Sequence, residues 1–544
     1  MIELKNPKRK HPELDEMFAE GKQFPPAHEI ERIAKYKRLR KIFDGKQWEV
    51  YERATEILKD SPHAAQLQKL YIAVNIIDPI VVKVADMIVG EKPTFDSELH
   101  ADETAHQRMA DIVESNNVVK LIHEAVVGGG IRGDSWIKVR YNYRQDFSEL
   151  REYGLIDGEA PDWAKMEPII EHVNAANVFP ETTQGNVKQF KAINIAWVEW
   201  VLHRDEEVPY LNVERHYPGF IIYERYELFP SYVDETFGVP IETFKIGRRV
   251  PTGRESDVVE TGIDKPAVFH IPYNSMDDQW HGQSTVEKVE SLLAAINDRI
   301  VQIDYILWKH SDPKMYGPPV TTDENVSAAE LGYIEMEKDD VTPGYMTWNS
   351  QLDGAFRQLD YLLGLVFQIA ETPDWLLGTS VIGGDGNKAG GTSHTTNAAI
   401  KARYLPIISK VKRIRGSVDK AIRDAIYVAQ AMENFANDGV DGFEPYEPVY
   451  PVIKWKDGVP RDEKEDAEIA EIRTQGKPTL DQLTAIKRLD DMDDREAQMI
   501  IDGIESDDER ETGPPVSDPE MFRRITETQS NEEGEEDDEN HSQD

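Results

Sequence analysis

Residues 284–310 read STVEKVESLLAAINDRIVQIDYILWKH, and the organisation of the chain follows from them. Ser284 suits a helix N-cap, the run behind it is helical in pattern, and Asp312-Pro313 stops it. Such a helix is about 40 Å long at about 1.5 Å per residue. A mixed insertion containing Pro and Gly follows over 311–350, and a second apolar helix is predicted from Gln351 to about Glu371. Next comes TPDWLLGTSVIGGDGNKAGGTSHTT at 372–396, a glycine-rich loop, and then a long helical stretch from Asn397 to about Asn437.

Upstream, IPYNSMDDQWHGQS at 271–284 reads as a loop, and the sequence before it is mixed. Residues 29–58, with KYKRLRKIF at 35–43, predict one or two surface helices, and 67–89 a buried helix kinked at Pro79. Trp136, Ile137, Val139 and Tyr141 predict a strand, 193–202 a second, and 211–228 a hairpin broken at Pro218-Gly219. Gly128, Gly129 and Gly130 are read as a helix C-cap and tight turn. The fold class is therefore α+β, without internal repeats.

A length of 544 residues allows three or four structural units, and 39% hydrophobic with 30% charged residues describes a globular chain. The best apolar stretch, 355–370, carries Arg357 and Asp360, so no membrane span is expected. MIELKNPKRKHPELDEMF at the N-terminus lacks an apolar core behind its basic residues, which fits a chain kept in the cytoplasm. The absence of cysteine removes disulfides and thiolate metal sites. A net charge of -40 opposes a protein that grips nucleic acid over its surface but suits a conduit past which DNA slides. From Glu505 to Asp544 there are 16 acidic and 3 basic residues, which predicts a disordered, solvated tail.

Enzyme signatures fail, and neither catalytic, cofactor nor metal residues are assigned. GGDGNKAGG (383–391) resembles a phosphate loop only in its glycines, because Ala389 follows Lys388. DDMDDRE lacks the sixth-position glycine of an EF-hand, the histidines form no H-E-x-x-H, and G-x-S-x-G is absent. Single histidines such as His123, His270 and His281 are read as hydrogen-bonded structural residues. Between 401 and 423 stand eight bases, Lys401, Arg403, Lys410, Lys412, Arg413, Arg415, Lys420 and Arg423, against Asp419 alone. They can face phosphate or the acidic surface of a neighbouring copy, and the acidity of the chain favours the second.

The order of these pieces resembles the portal protein family of tailed double-stranded DNA bacteriophages. The resemblance rests on Gly282-Gln283-Ser284, a long helix containing Ala295-Ile296-Asn297, an insertion, a second helix, 373–378 closing on LLG, a glycine loop and a long helix. It continues through WKDGVP (455–460), RDEKEDAEIAEIRTQG (461–476) and KPTLDQLTAIKRL (477–489), and covers about 60–505.

That resemblance implies a portal fold with wing, helical stem, small α/β clip and helical crown, assembled as a closed ring, usually of twelve subunits. The wing would be 61–281, the stem 282–310 and 351–372, the clip 311–350, and the crown 461–505. Residues 395–460 would be the long helix and its return to the wing. Residues 373–394 would be the channel loop, with Gly383, Gly384, Gly386, Asn387 and Lys388 against passing DNA, or else an ordinary surface connection. A basic, helical N-terminal arm (1–60) and the acidic tail (506–544) depart from the plainest pattern. The implied partners are further copies of the chain, the terminase large subunit, a head-completion adaptor, the major capsid and scaffolding proteins, and non-specific double-stranded DNA, with no cofactor. The implied place is one capsid vertex of the virion, after assembly in the host bacterial cytoplasm.

Rival classes fare less well. A packaging ATPase needs a Walker A loop, and a sequence-specific regulator a basic domain, which a pI of about 4.7 opposes. Another capsid assembly or scaffolding protein is the alternative, but a helix-insertion-helix unit with a glycine loop has no use in a shell lattice.

Overall fold

The computed structural model describes residues 17–51, 74–97, 102–157, 160–183, 185–203, 206–235, 238–254, 256–310, 315–316, 344–345, 352–377, 397–440, 442–456, 458, 463–475, 478–490 and 494–512. They divide into two compact units, one of 1–392 with 403–459 and one of 393–402 with 460–544.

In the first unit β1 (Gln23–Phe24) leads to helix α1 (Ile30–Phe43), and α2 (Ile77–Val89), β2 (Thr94–Asp96), α3 (Glu103–Ser115) and α4 (Val118–Arg132) follow. Then come β3 (Asp134–Asn142), α5 (Ser148–Glu152), β4 (Glu167–Val173), β5 (Val178–Thr183), β6 (Asn186–His203), β7 (Glu206–Tyr217) and β8 (Phe220–Asp234). Strands β9 (Ile241–Val250), β10 (Val258–Glu260) and β11 (Val268–Pro272) lead into the long helix α6 (Thr285–His310). Two short strands, β12 (Met315–Tyr316) and β13 (Gly344–Tyr345), pair beyond it, before α7 (Leu352–Ile369), α8 (Asn397–Ala436) and β14 (Val452–Lys454). In the second unit lie residues 397–402 of α8, together with α9 (Glu463–Thr474), α10 (Gln482–Leu489) and α11 (Asp494–Thr512).

The α+β expectation holds, and the strand content exceeds it. A seven-stranded antiparallel sheet runs β1-β9-β8-β7-β6-β5 with β10 beside β8, and a three-stranded sheet runs β11-β3-β4. Tyr217 pairs with Phe220 around Pro218-Gly219, as the hairpin reading required. The other strands are masked in sequence because charged residues such as Arg215, Glu224 and Arg225 interrupt their alternation.

Helix α1 is not a surface helix. Its first turns send Ile30, Ile33 and Ala34 into the core of the large sheet, with Phe24, Phe179 and Leu211. Its last turns send Leu39 and Ile42 into a second core made by α2, α6 and α7, with Val81, Leu293 and Val366. Several of its bases are engaged rather than solvated: Arg32 donates to the carbonyls of Ala175 and Val178 at 2.9 Å. Lys35 pairs with Glu287 at 2.6 Å and Arg38 with Glu290 at 2.7 Å, both on α6. One helix thus ties the large sheet to the long helix.

Three further readings are corrected. Pro79 sits in the first turn of α2, where its missing N–H costs nothing, so it marks a start and not a kink; residues 67–73 of the expected helix lie outside the described residues. Gly128, Gly129 and Gly130 lie inside α4, and the C-cap is Gly133. Helix α11 continues to Thr512, so 506–512 are helical and not tail, because a charged helix face is as well solvated as a coil. Residues 513–544 and 1–16 lie outside the described residues.

Candidate functional site

Helix α6 is seated at its N-terminus by a buried polar node. Ser284 accepts hydrogen bonds from the backbone N–H of Val286 (3.0 Å) and Glu287 (3.3 Å), the capping role its sequence position suggested. Its hydroxyl also donates to the carbonyl of Ile131, 2.6 Å away at the end of α4. Two residues earlier, the N–H of Gly282 donates to a carboxylate oxygen of Asp134 at 2.9 Å. Asp134 is fully buried and also receives the Tyr36 hydroxyl of α1 and, at 2.7 Å, the His270 ring of β11. Burial holds the Tyr36 phenol well above its ordinary pKa, so it remains a neutral donor. Trp136 stacks on His270 with centroids 4.3 Å apart and covers the node. Four elements therefore converge on one carboxylate.

Close backbone approach makes this seat possible. Gly133 has φ +95, and a Cβ there would fall inside contact distance of the Gly282 carbonyl. The approach is reciprocal, since a Cβ on Gly282 would meet the Gly133 carbonyl. One turn back in α4, a Cβ on Gly130 would lie 2.7 Å from Val81, while Gly129 packs on the Tyr273 ring. Of the three consecutive glycines, Gly129 and Gly130 serve close packing.

The second frame joins α7 to α8. Helix α7 ends in a left-handed C-cap: Glu371 has φ +54, Thr372 N–H donates to the Phe367 carbonyl at 3.1 Å, and Glu371 N–H to that of Gln368 at 3.2 Å. Lys410 of α8 reaches the Ala370 carbonyl at 2.7 Å, and Arg413 binds the Glu371 carboxylate. Five residues on, the buried Arg415 donates to the Met87 carbonyl (3.2 Å) and to that of Lys456. Trp455 donates to Asp419 at 2.7 Å, so the first residue of WKDGVP is tied to α8. Arg423 donates to the Pro451 carbonyl at 2.7 Å.

The basic stretch is accordingly divided. Lys410, Arg413, Arg415 and Arg423 serve the chain's own carbonyls and a carboxylate, whereas Lys412 and Lys420 are exposed. Lys401 and Arg403 lie on α8, but their side chains fall outside the described residues, as do Gly383, Gly384, Gly386, Asn387 and Lys388 entirely. One continuous basic face is therefore not what α8 presents. Sequence reasoning missed Tyr36, Gly133, Asp134 and the partners of His270, because these meet across about 250 residues of chain and share no spacing. The pair of glycine signals, GIRGD at 130–134 and HGQS at 281–284, was the trace available.

Among the described residues no group of acids and histidines is arranged to hold a metal, and no helix is long and apolar enough to cross a membrane. No curated protein matches the chain. A family model described as phage portal protein, SPP1 Gp6-like, matches residues 23–513. Because that match opens on the first residue of β1 and closes just beyond α11, it takes in every element above, and the chain belongs to the phage portal protein family.

Proposed function

We propose that copies of this chain close into a ring, of twelve subunits in the usual family arrangement, that forms the channel for DNA packaging and ejection at one capsid vertex. The observation that carries the reading is the double seat of the helical frame: α6 is locked at its N-terminus by Asp134 and Ser284, and α7 is locked at its C-terminus by Lys410 and Arg413. Two long helices fixed against one wing are what a channel wall repeated around an axis requires. In this reading α6 and α7 are the stem, and the insertion 311–350 is the clip that docks the terminase and later the head-completion adaptor. The sheets form the wing, and α9 to α11 the crown.

The segment carrying Gly383, Gly384, Gly386, Asn387 and Lys388 is proposed to meet the duplex. One lysine per copy gives non-specific, salt-dependent contact without sequence reading. An acidic surface elsewhere, from a net charge of -40 per chain, keeps DNA from adhering. Shortening 382–391 tests this assignment: rings and procapsids are expected to form while packaging or DNA retention fails. Normal packaging would return the segment to an ordinary connection.

A further inference from the structure

Lys410 is a buried amine, 3% exposed, in the middle of a structural junction. It donates a hydrogen bond to the Ala370 carbonyl at 2.7 Å, and its ammonium lies 5.9 Å from the centre of the Tyr273 ring. Among the described residues no carboxylate lies at ion-pair distance from it; the nearest acid, Glu371, is occupied by Arg413. The charged groups that face it are Glu371 beyond α7, Lys288 of α6 and Arg413 of α8, so two of the three repel it. The turn it closes is itself strained, because Glu371, a residue with a Cβ, holds the left-handed φ +54 at which glycine is the usual occupant.

We propose that the turn 370–372, closed by Lys410 beside the Arg413–Glu371 pair, is a spring-loaded joint, in which a buried amine helps to hold the end of α7 shut while its own desolvation favours opening. A structural capping lysine would have its charge satisfied by a carboxylate, and among the described residues none lies at ion-pair distance from this one. Opening would return the amine to water and let Glu371 leave the left-handed region, so both stresses are relieved by one local movement. Pro373 follows at once and prevents the helix from simply growing through the turn. The joint would therefore redirect the chain that leaves α7 and not lengthen α7. This inference concerns the folded chain and stands independently of the ring.

Linkage gives the joint a signature. Burial above all, with Lys288 and Arg413, pulls the closed-state amine down to about 7 from its ordinary 10.5. The open state, with the amine in water, binds the proton more tightly. Raising pH between those two values therefore favours the closed form, and lowering it favours the open one, with little change below the lower value.

Amide hydrogen exchange on the purified full chain, corrected for intrinsic rates, measures it. The 370–372 amides are expected to exchange by a local opening, faster than those of Val366 and Phe367 in the α7 core. Their opening constant should fall roughly fifty- to hundredfold from pH 7.5 to 9.5. Lys410→Met should abolish the pH dependence and leave the turn closed, because the Arg413–Glu371 pair remains and no amine is left to desolvate, and Lys410→Arg, charged throughout, should abolish it and leave the turn open. A wild-type opening constant that ignores pH would overturn the proposal, as would 370–372 amides protected as strongly as Val366 and Phe367. If Lys410→Met fails to fold, the wild-type profile and Lys410→Arg decide.

Discussion

Gly133→Ala tests the seat of the long helix most sharply. The φ of +95 at this position costs an alanine about 1–2 kcal/mol. The added Cβ also meets the carbonyl oxygen and carbon of Gly282, which are backbone atoms that cannot swing aside as a side-chain tip could. Relief by backbone displacement costs roughly 1–3 kcal/mol more, and it moves Gly282 away from Asp134. The total is about 2–5 kcal/mol. At about 2.1 cal/mol/K of unfolding entropy per residue, a unit of this size has a melting temperature some 2–5 °C lower, if it melts cooperatively. Gly128→Ala in the same helix is the control, because a Cβ there has nothing nearer than 3.8 Å. It should be neutral or stabilise by up to about 1 kcal/mol through backbone entropy. Scanning calorimetry of both variants decides: a Gly133→Ala protein that melts with wild type would refute the reasoning.

Other consequences follow from the buried charges. Burial works to raise the Glu214 carboxyl, but the His216 hydrogen bond and the Lys138 ammonium overcome it and hold it at about 2, against an ordinary 4.5. A depressed carboxylate stabilises above its unfolded pKa and loses that contribution as pH falls, so up to about 3 kcal/mol should disappear between pH 4.5 and 2. Glu214→Gln should therefore be destabilised at pH 7, with its deficit shrinking towards pH 3; urea titrations at both values measure the change. Arg415→Met leaves the Met87 and Lys456 carbonyls without this donor and is expected to cost roughly 2–4 kcal/mol, read as a lower urea midpoint. Asp134→Asn, which can no longer accept from Tyr36, His270 and Gly282 together, should lower the melting temperature and the yield of assembled protein.

Much of the frame was legible because it is written locally. Ser284 caps α6 and the helix ends at His310 as its sequence suggests, since a capping hydroxyl and a following Asp-Pro act within one turn. Helices α7 and α8 were visible for the same reason. What could not be read is whatever depends on a partner far along the chain. The bases of α8 look like one charged face, yet Arg415 is turned inward by carbonyls at 87 and 456, which no helical spacing records. The bases of α1 misled similarly, because their acceptors lie on β5, the turn before it and α6. Gly128, Gly129 and Gly130 looked like a helix terminus because glycine's local preference is for turns, and the packing of Tyr273 and Val81 that makes helical glycines useful is tertiary.

The most direct test of the channel reading is an electron cryomicroscopy reconstruction of the purified full-length chain. The account predicts closed rings with an axial channel wide enough for duplex DNA, with α6 and α7 of every copy beside that channel and the large sheet at the periphery. Monomers, open filaments, or rings whose axis is lined by the sheet while α6 and α7 lie outside would contradict it.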